Sequence, residues 1–385
     1  MMKNIFVCHI CGNKDPRFIG YKNGVPYCRA CIAFQGRKAD LNYKVNQSIS
    51  LNLTYPLSEK QEEIATQVLN NIKRRKNVLI HAVTGAGKTE LVYYSMEHIL
   101  KKGGHVGFAT PRKDVVIDLL PRIKEAFPTA KVIAVYGNHS ETLNADIITL
   151  TTHQLYRYEN YFDLLILDEI DAFPYKGNTI LNSFFRKSVR GNYILLSATP
   201  SEEDIKSINR DNGVVLSLFE RYHHSPLPEP QFEKHLKINA YLATYKILKE
   251  FILDKKQTFI FCPTIEIGWK LFHFLSPLIP NGSFVSSEEE TRRIDIERFK
   301  NKELDYLVTT SILERGVTVK DLQVIVFAAD HELYNKAALI QIAGRVGRKI
   351  NATKGKVIFI GEKETYDIRK TKDEIHEYNK KANLL

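Results

Sequence analysis

The sequence has few of the features that mark secreted, fibrous or membrane-spanning proteins. Only 5 of its 385 residues are cysteine. Its apolar runs fall short of the about 20 residues that a membrane-spanning helix needs, and no segment with the flanks of a signal peptide opens the chain. Low-complexity tracts and short-period repeats are also missing. With 44% hydrophobic and 26% charged residues, the composition is that of a soluble globular protein, which we expect in the cytoplasm.

Acidic residues are in the minority among the charged ones. The chain has 55 Lys and Arg against 44 Asp and Glu, for a formal net charge of +11. A basic surface gains free energy when it neutralises phosphates and releases their counterions, so this balance favours a polyanionic partner. A merely basic, soluble surface gives the same balance, and net charge alone leaves both interpretations open.

The few cysteines are not scattered. Cys8 and Cys11 form one C-x2-C pair, Cys28 and Cys31 form another, and sixteen residues separate the pairs. This spacing predicts a Zn2+ site with four thiolates; two disulfides are the alternative, which a chain without an export signal seldom forms. Aromatic and basic residues alternate through residues 1–50, which suits either contact with nucleic acid or a small core around the metal.

Short apolar runs alternate with helical segments through the rest of the chain. Several are almost continuously apolar, as in strands that helices cover on both faces, so we predict an α/β fold with parallel sheets. The proline-rich stretch 221–231 divides the runs into two groups. The predicted organisation is a zinc-binding module at 1–50, a first domain at 51–222, a linker at 223–234 and a second domain at 235–385.

The string HAVTGAGKTE at 81–90 has the pattern of a loop that binds a triphosphate. Gly85, Ala86 and Gly87 let the backbone wrap closely enough for its amides to donate to phosphate oxygens. Lys88 then reaches the β and γ phosphates, and the Thr89 hydroxyl binds Mg2+.

Two further strings supply the remaining parts of an ATPase. LDEIDAF at 167–173 places Asp168 where it holds the metal and Glu169 where it activates a water. QIAGRVGR at 341–348 carries Arg345 and Arg348, which we expect one helical turn apart on the second domain. Arginines delivered from a distant segment stabilise the charge that develops in phosphoryl transfer. Together the strings predict ATP hydrolysis between two lobes.

In this order, and with LSATP at 196–200, the strings resemble superfamily 2 nucleic-acid helicases and translocases, which have two RecA-like domains. The resemblance implies further site residues. Those for the nucleotide are Tyr55, Gln61, Thr84 and Gly316. Those for nucleic acid are Thr110, Arg112, Thr152, Thr264 and Thr310, with His153 and Gln154 as further candidates. Those that couple the two sites are Ser197, Thr199 and Gln341. One departure is Thr318, where many members have an aspartate.

Within that superfamily, DEIDAFP at 168–174, the four-cysteine module and the compact length resemble the ComFA family of late-competence DNA-uptake ATPases. That resemblance implies ATP-driven movement on single-stranded DNA during transformation, with ATP, Mg2+ and Zn2+ as cofactors. It also implies a DNA-uptake channel and other late-competence proteins as partners, at the inner face of the cell membrane. The PriA replication-restart helicases share the DEID-type string, but they are longer and their cysteines interrupt the second lobe. A restart-type helicase, an ATP-dependent nucleoprotein remodeler and an adaptor switched by nucleotide are the alternatives.

Overall fold

Parallel sheets flanked by helices form two units in the structure, a computed structural model that describes residues 6–286, 291–310, 319–348 and 352–384. The first unit comprises the chain up to Ala82 together with Lys88–Leu218. The second comprises Val83–Gly87 and the chain from Phe219 onward. The predicted class, two parallel-sheet α/β domains in tandem, is confirmed.

A small hairpin near the N-terminus forms part of the first unit. Its strands are β1 (Ile19–Lys22) and β2 (Val25–Cys28), paired antiparallel. Residues 8–35 contain the four cysteines and the hairpin and form the cysteine segment. This segment shares a hydrophobic core with the rest of the first unit, since the Phe34 ring lies edge-on to the Phe184 ring at 4.9 Å between centroids. The Tyr156 hydroxyl also donates to the main-chain oxygen of Gln35 at 2.9 Å.

Seven parallel strands in the described part of the first unit form one sheet. They are β3 (Val78–Ala82), β4 (Val106–Thr110), β5 (Val132–Val135), β6 (Ile147–Thr151), β7 (Phe162–Leu167), β8 (Val189–Ser197) and β9 (Val214–Leu218). Their spatial order is β5-β6-β4-β7-β8-β3-β9. The helices of this unit are α1 (Glu59–Lys73), α2 (Tyr93–Lys101), α3 (Lys113–Ala126), α4 (Thr179–Ser188) and α5 (Glu202–Arg210). Strands β3 to β8 confirm that the apolar runs of the first domain form buried parallel strands.

Asp163 ties the three central strands of this sheet together. It lies on β7, and its carboxylate accepts from the His105 main-chain N–H just before β4 at 2.8 Å and from Arg190 Nε on β8 at 2.9 Å. Burial alone would raise the pKa of Asp163, but the hydrogen bonds from His105 and Arg190 hold that pKa well below its usual range. The charged form of the carboxylate therefore stabilises the alignment of β4, β7 and β8.

Six parallel strands in the described part of the second unit form another sheet. They are β10 (Gln231–Lys234), β11 (Thr258–Phe261), β12 (Gly282–Val285), β13 (Tyr306–Thr309), β14 (Gln323–Val326) and β15 (Val357–Gly361), in the spatial order β10-β15-β14-β11-β13-β12. The helices are α6 (Lys237–Leu253), α7 (Ile265–Leu275), α8 (Arg292–Lys300), α9 (Lys336–Ala343) and α10 (Tyr366–Lys381).

One part of the expected linker is a strand instead. Residues 231–234, within the stretch predicted as linker, form β10 and pair with β15 along its length. The sequence QFEK carries polar and charged side chains because β10 is an edge strand with one neighbour, so no continuous apolar run marks it. The irregular connection is therefore shorter than expected.

Candidate nucleotide and metal sites

The predicted phosphate loop connects the end of β3 to the turn before α2. Gly85 and Gly87 have φ of +85° and +76°, a left-handed backbone that favours glycine and curls the loop. Lys88 Nζ donates to the main-chain oxygen of Ala82 at 3.1 Å, so its side chain folds back over the loop. The Thr84 and Thr89 side chains are buried. The segment has the closely wrapped backbone that a triphosphate requires.

The two acids follow β7, between the ends of its neighbours β4 and β8. The Asp168 main-chain N–H donates to the oxygen of Ala109 at 2.9 Å, which fixes the chain as it leaves the sheet. Glu169 has φ of +57°, and its N–H donates to Asp168 Oδ1 at 2.8 Å. A left-handed glutamate is energetically unfavourable, and such strain is found where a side chain must take a set direction for function.

A third acid of the same string forms a buried cluster with the LSATP segment. Asp171 accepts from the Ser197 hydroxyl at 3.1 Å and from the Thr199 hydroxyl at 2.9 Å. The Thr199 main-chain N–H also donates to Ser197 Oγ at 3.0 Å. The structure thus joins Ser197 and Thr199, two of the three residues predicted to couple the sites, to the segment that carries Asp168 and Glu169. Sequence reasoning missed Asp171, although it stands in the DEID string itself.

The arginine string adopts a turn rather than a helix, which corrects one expectation. Helix α9 ends at Ala343, Gly344 caps it, and Gly347 has φ of +70°. Arg345 and Arg348 therefore lie beyond the helix end, not one helical turn apart on its surface. The Arg345 side chain is only 1% exposed, and Arg348 Nε donates to the oxygen of Gly344 at 2.9 Å. Gln341 is buried within α9.

Two of the residues predicted to bind the nucleotide lie in and just before α1. Gln61 is buried and belongs to a capping box, in which its Oε1 accepts from the Ser58 N–H at 2.9 Å. Tyr55 is 79% exposed, and its contact with the nucleotide stays a prediction. Gly316 and Thr318 lie outside the described residues.

The residues predicted to contact nucleic acid differ in their exposure. Thr110 and Thr152 are buried, and their hydroxyls have no hydrogen-bond partner among the described residues. Their side chains do not face solvent. Thr264 caps α7, accepting from the Ile267 N–H at 3.1 Å, and Thr310 directly follows β13.

The remaining candidates flank these threonines. Arg112 is half-buried at the N-terminus of α3. The His153 ring stacks on Phe34 of the cysteine segment at 6.2 Å, and Gln154 Oε1 accepts from Arg157 Nε at 2.6 Å. Their contacts with nucleic acid stay predictions.

Four cysteines converge to form a candidate metal site. The sulfur atoms of Cys8, Cys11, Cys28 and Cys31 all lie within 4.8 Å of one another, and the Cys8–Cys31 and Cys11–Cys28 separations are 3.5 and 3.6 Å. A tetrahedral zinc ion with Zn–S bonds of about 2.3 Å requires sulfur separations of about 3.8 Å. A disulfide requires about 2 Å. All four cysteines are free and buried, so the geometry is compatible with Zn2+ and not with disulfides.

The surroundings of these thiols shift the pKa of Cys11 upward and the pKa of Cys8 downward. Burial raises the pKa of Cys11 to about 11, partly opposed by the Asn13 N–H. Burial also acts to raise the pKa of Cys8, but hydrogen bonds from the N–H groups of Cys11 and Ile10, together with those from the Cys31 and Cys11 thiols, bring that pKa below its usual value. A bound cation would stabilise all four thiolates, the form in which cysteine ligates zinc.

Comparisons with known proteins decide the family. Residues 54–202 match the family described as type III restriction enzyme, res subunit, and residues 243–349 match the helicase conserved C-terminal domain. Competence protein ComFA of Bacillus subtilis (strain 168) is 34% identical over 99% of this chain and 87% of its own length. ComFA of Streptococcus pneumoniae (strain ATCC BAA-255 / R6) is 35% identical over 94% and 87%. The chain belongs to the ComFA family.

Membership makes the chain an ATP-hydrolysing superfamily 2 helicase or translocase, with ATP and Mg2+ implied by the family. The solved structure of S. cerevisiae Dbp5 bound to RNA and ADP BeF3 superimposes with a TM-score of 0.67 at 16% identity, covering 84% of this chain and 88% of that one. RecG bound to a three-way DNA junction gives 0.62 at 16% identity, covering 85% and 47%. These likenesses confirm two RecA-like domains. Among the described helices, none is long and apolar enough to cross a membrane.

The hydroxyl of Thr199 tests the Asp171 cluster. Replacing Thr199→Val keeps the side-chain shape but leaves the buried Asp171 carboxylate with one donor fewer, so unfolding free energy should fall by about 1–3 kcal/mol. Urea denaturation measures the change. Thr199→Ser, which keeps the hydroxyl, is the matched control and should lose less. Equal stability of the valine variant and the unmodified protein would contradict the cluster.

Metal analysis of the purified protein tests the cysteine site. We expect one zinc ion per chain, and loss of that ion when Cys28 and Cys31 are both replaced by serine, because two thiolates do not complete a tetrahedral site. Cys262→Ala is the matched control, since Cys262 is a free, buried cysteine of the second unit. Full folding of the module with no metal bound would refute the site.

Proposed function

We propose that this ATPase moves along single-stranded DNA and drives the uptake of transforming DNA in competent bacteria. The observation that carries the proposal is the convergence of β3, β4, β7 and β8 in a chain that matches competence proteins ComFA along nearly its whole length. Each of these neighbouring strands ends in a string predicted to bind nucleotide, nucleic acid or the link between them. Motor activity needs all three functions in one rigid frame.

In the proposed site, the phosphate loop holds the triphosphate of ATP. Main-chain amides of Thr84–Lys88 contact the phosphates, and Lys88 neutralises charge on the β and γ groups. Thr89 and Asp168 would hold Mg2+, which, when bound, would supply positive charge to the phosphate oxygens during hydrolysis. Glu169, held by its left-handed backbone, takes a proton from the attacking water.

Residues 344–348, which we call the arginine turn, supply the positive charge that stabilises the transition state in this proposal. Arg345 and Arg348 stabilise the γ-phosphoryl group as it leaves, and hydrolysis weakens their hold. Gln341 and the Asp171 cluster transmit the change, since Ser197 and Thr199 bind the strand end that carries the general base. The result is a change in the affinity for nucleic acid each time one ATP is hydrolysed.

The nucleic acid is proposed to be bound through its backbone. Arg112, Thr264 and Thr310 stand at or next to helix starts and strand ends, where main-chain N–H groups and hydroxyls contact phosphates without reading bases. Thr110 and Thr152 contribute through their main chain, because their hydroxyls are buried. Such a grip suits travel on any sequence, as uptake of unselected DNA demands.

The setting of the proposal follows the names of the relatives. Both ComFA proteins are named for competence, and this supports our proposal that the chain acts at a DNA-uptake channel with other late-competence proteins as partners. A peripheral position at the inner membrane face fits this setting. We assign Zn2+ to the four-cysteine segment, where it holds the fold around the hairpin.

A replication-restart helicase is the second candidate. PriA of Rickettsia conorii is 26% identical to this chain over 56% of it and 36% of its own length. For a helicase of that type we expect a preference for branched duplex DNA, whereas for a remodeler or an adaptor we expect no dependence on strand length. Nucleic-acid preference therefore separates the candidates.

Phosphate release with different nucleic acids tests the proposal. Single-stranded DNA should stimulate turnover, with a rate that rises with strand length and then levels off, because a motor on short strands spends more of its time at ends. Duplex DNA and RNA should stimulate less. Stimulation by branched duplex alone, or no dependence on length, would contradict translocation on single strands.

Two variants show that the turnover belongs to this site. Glu169→Gln should lower turnover by about 100-fold or more, the contribution of a general base. Glu203→Gln makes the same chemical change at an exposed position of α5 and should leave the rate unchanged. Equal rates for the two variants would remove Glu169 from its proposed role.

A further inference from the structure

Arg221 follows β9, and its guanidinium is the centre of a buried hydrogen-bond cluster within the second unit. The side chain is 1% exposed. Its Nε donates to the main-chain oxygen of Thr84 in the phosphate loop at 3.2 Å. Its Nη1 donates to the oxygens of Val346 and Gly347 at 2.9 and 3.0 Å, and its Nη2 to that of Gly344 at 3.3 Å. One side chain thus binds the phosphate loop and the turn that carries the two arginines.

Tyr222 repeats the same pairing. Its main-chain N–H donates to the oxygen of Gly85 at 3.4 Å, and its hydroxyl donates to the oxygen of Arg348 at 3.0 Å. Two consecutive residues therefore each contact both segments. We call Arg221 and Tyr222 the bridging pair.

The contact between the two segments is close-packed. A Cβ atom on Gly344 would lie 1.8 Å from Thr84 Oγ1, and one on Gly347 would lie 2.4 Å from the oxygen of Thr353. The Thr84 hydroxyl itself donates to the oxygen of Gly344 at 3.3 Å. Since a side chain at Gly344 would force the two segments apart, their approach is a specific feature of the fold; Gly347 is confined by Thr353, which belongs to neither segment.

A packing role alone does not account for a charged group here. No carboxylate of the described residues forms an ion pair with Arg221, whose guanidinium donates to main-chain oxygens of the cluster. Burial and the nearby charge of Arg348 lower the pKa of Arg221 to about 9, which leaves it charged at neutral pH. A buried charge costs free energy that an apolar side chain would avoid. The planar fork of five N–H donors is what an apolar residue or a lysine cannot supply.

We propose that Arg221 is a positioning residue for ATP hydrolysis: it fixes the main chain of the phosphate loop and of the arginine turn against each other, and so sets where Arg345 and Arg348 stand relative to the nucleotide phosphates. The inference rests on the proposed function of those two arginines. Arg221 itself does not touch the nucleotide in this scheme. Its effect should be on turnover, not on ATP binding.

Steady-state kinetics of Arg221→Lys test the proposal. Lysine keeps the charge but has no fork, so kcat should fall about 10-fold or more, the effect of misplacing catalytic groups, while KM for ATP changes little. Arg293→Lys, at an exposed position of α8, is the matched control and should behave as the unmodified protein. A lower thermal midpoint with unchanged kcat for the folded variant would mean that Arg221 is merely structural and would overturn the inference.

A double variant distinguishes positioning from an independent contribution. If Arg221 acts through the turn that carries Arg348, the kcat loss of Arg221→Lys with Arg348→Ala should be smaller than the product of the two single losses. Independent, multiplicative losses overturn the proposal.

Should Arg221→Lys fail to fold, Tyr222→Phe removes one hydroxyl of the bridging pair from an exposed ring and should lower kcat about 3-fold by the same mechanism. An unchanged kcat in that variant counts against it.

All these rates are taken without DNA as well as with single-stranded DNA. Absence of stimulation in the unmodified protein would contradict the proposed function. The comparison of Arg221→Lys with the unmodified protein uses turnover without DNA, so it decides the positioning role separately.

Discussion

The parallel pairing of four neighbouring strands is the constraint on which the nucleotide site depends. Strands β4, β7, β8 and β3 lie side by side and run in the same direction, so the loops that follow them leave the sheet at one edge. Both faces of the sheet are covered, and a slip of one residue would turn buried side chains toward the wrong face. The register that packing enforces is therefore also the register that sets the phosphate loop, the acids and the LSATP segment beside one another.

Polar clusters then refine what the sheet brings together. The Asp171 carboxylate binds two hydroxyls of the LSATP segment, and the Arg221 guanidinium binds main-chain oxygens of the phosphate loop and the arginine turn. Buried clusters of this kind hold a single geometry because each broken bond leaves an unsatisfied polar group in a low-dielectric interior. When bound nucleotide shifts one segment of such a cluster, the hydrogen-bonded segments are expected to move together.

The sequence predicted what short-range patterns encode and missed what distant contacts create. Strands β3 to β8 were predicted because their apolar runs stand out in the sequence. Strands β9, β10 and β12 were missed, and β10 carries polar and charged side chains at the edge of its sheet. The phosphate loop, the acids and the cysteines follow from spacing. Asp171 and Arg221 do not, because their roles depend on partners that are 26 and more than 120 residues away. The turn that carries Arg345 and Arg348 was predicted as helix because Gly344 and Gly347 are compatible with both a helix and a turn. Only the contacts of the folded chain decide between the two.

The central claim is that nucleotide state changes the grip on nucleic acid, since without that coupling ATP hydrolysis produces no movement. The most direct measurement is the affinity of the Glu169→Gln protein for a labelled single strand in three states: with ATP, with ADP and without nucleotide. The account predicts that at least one state differs from the others by about 10-fold, within the usual range of coupling free energies. Equal affinity in all three states, with ATP bound and the protein folded, would contradict it.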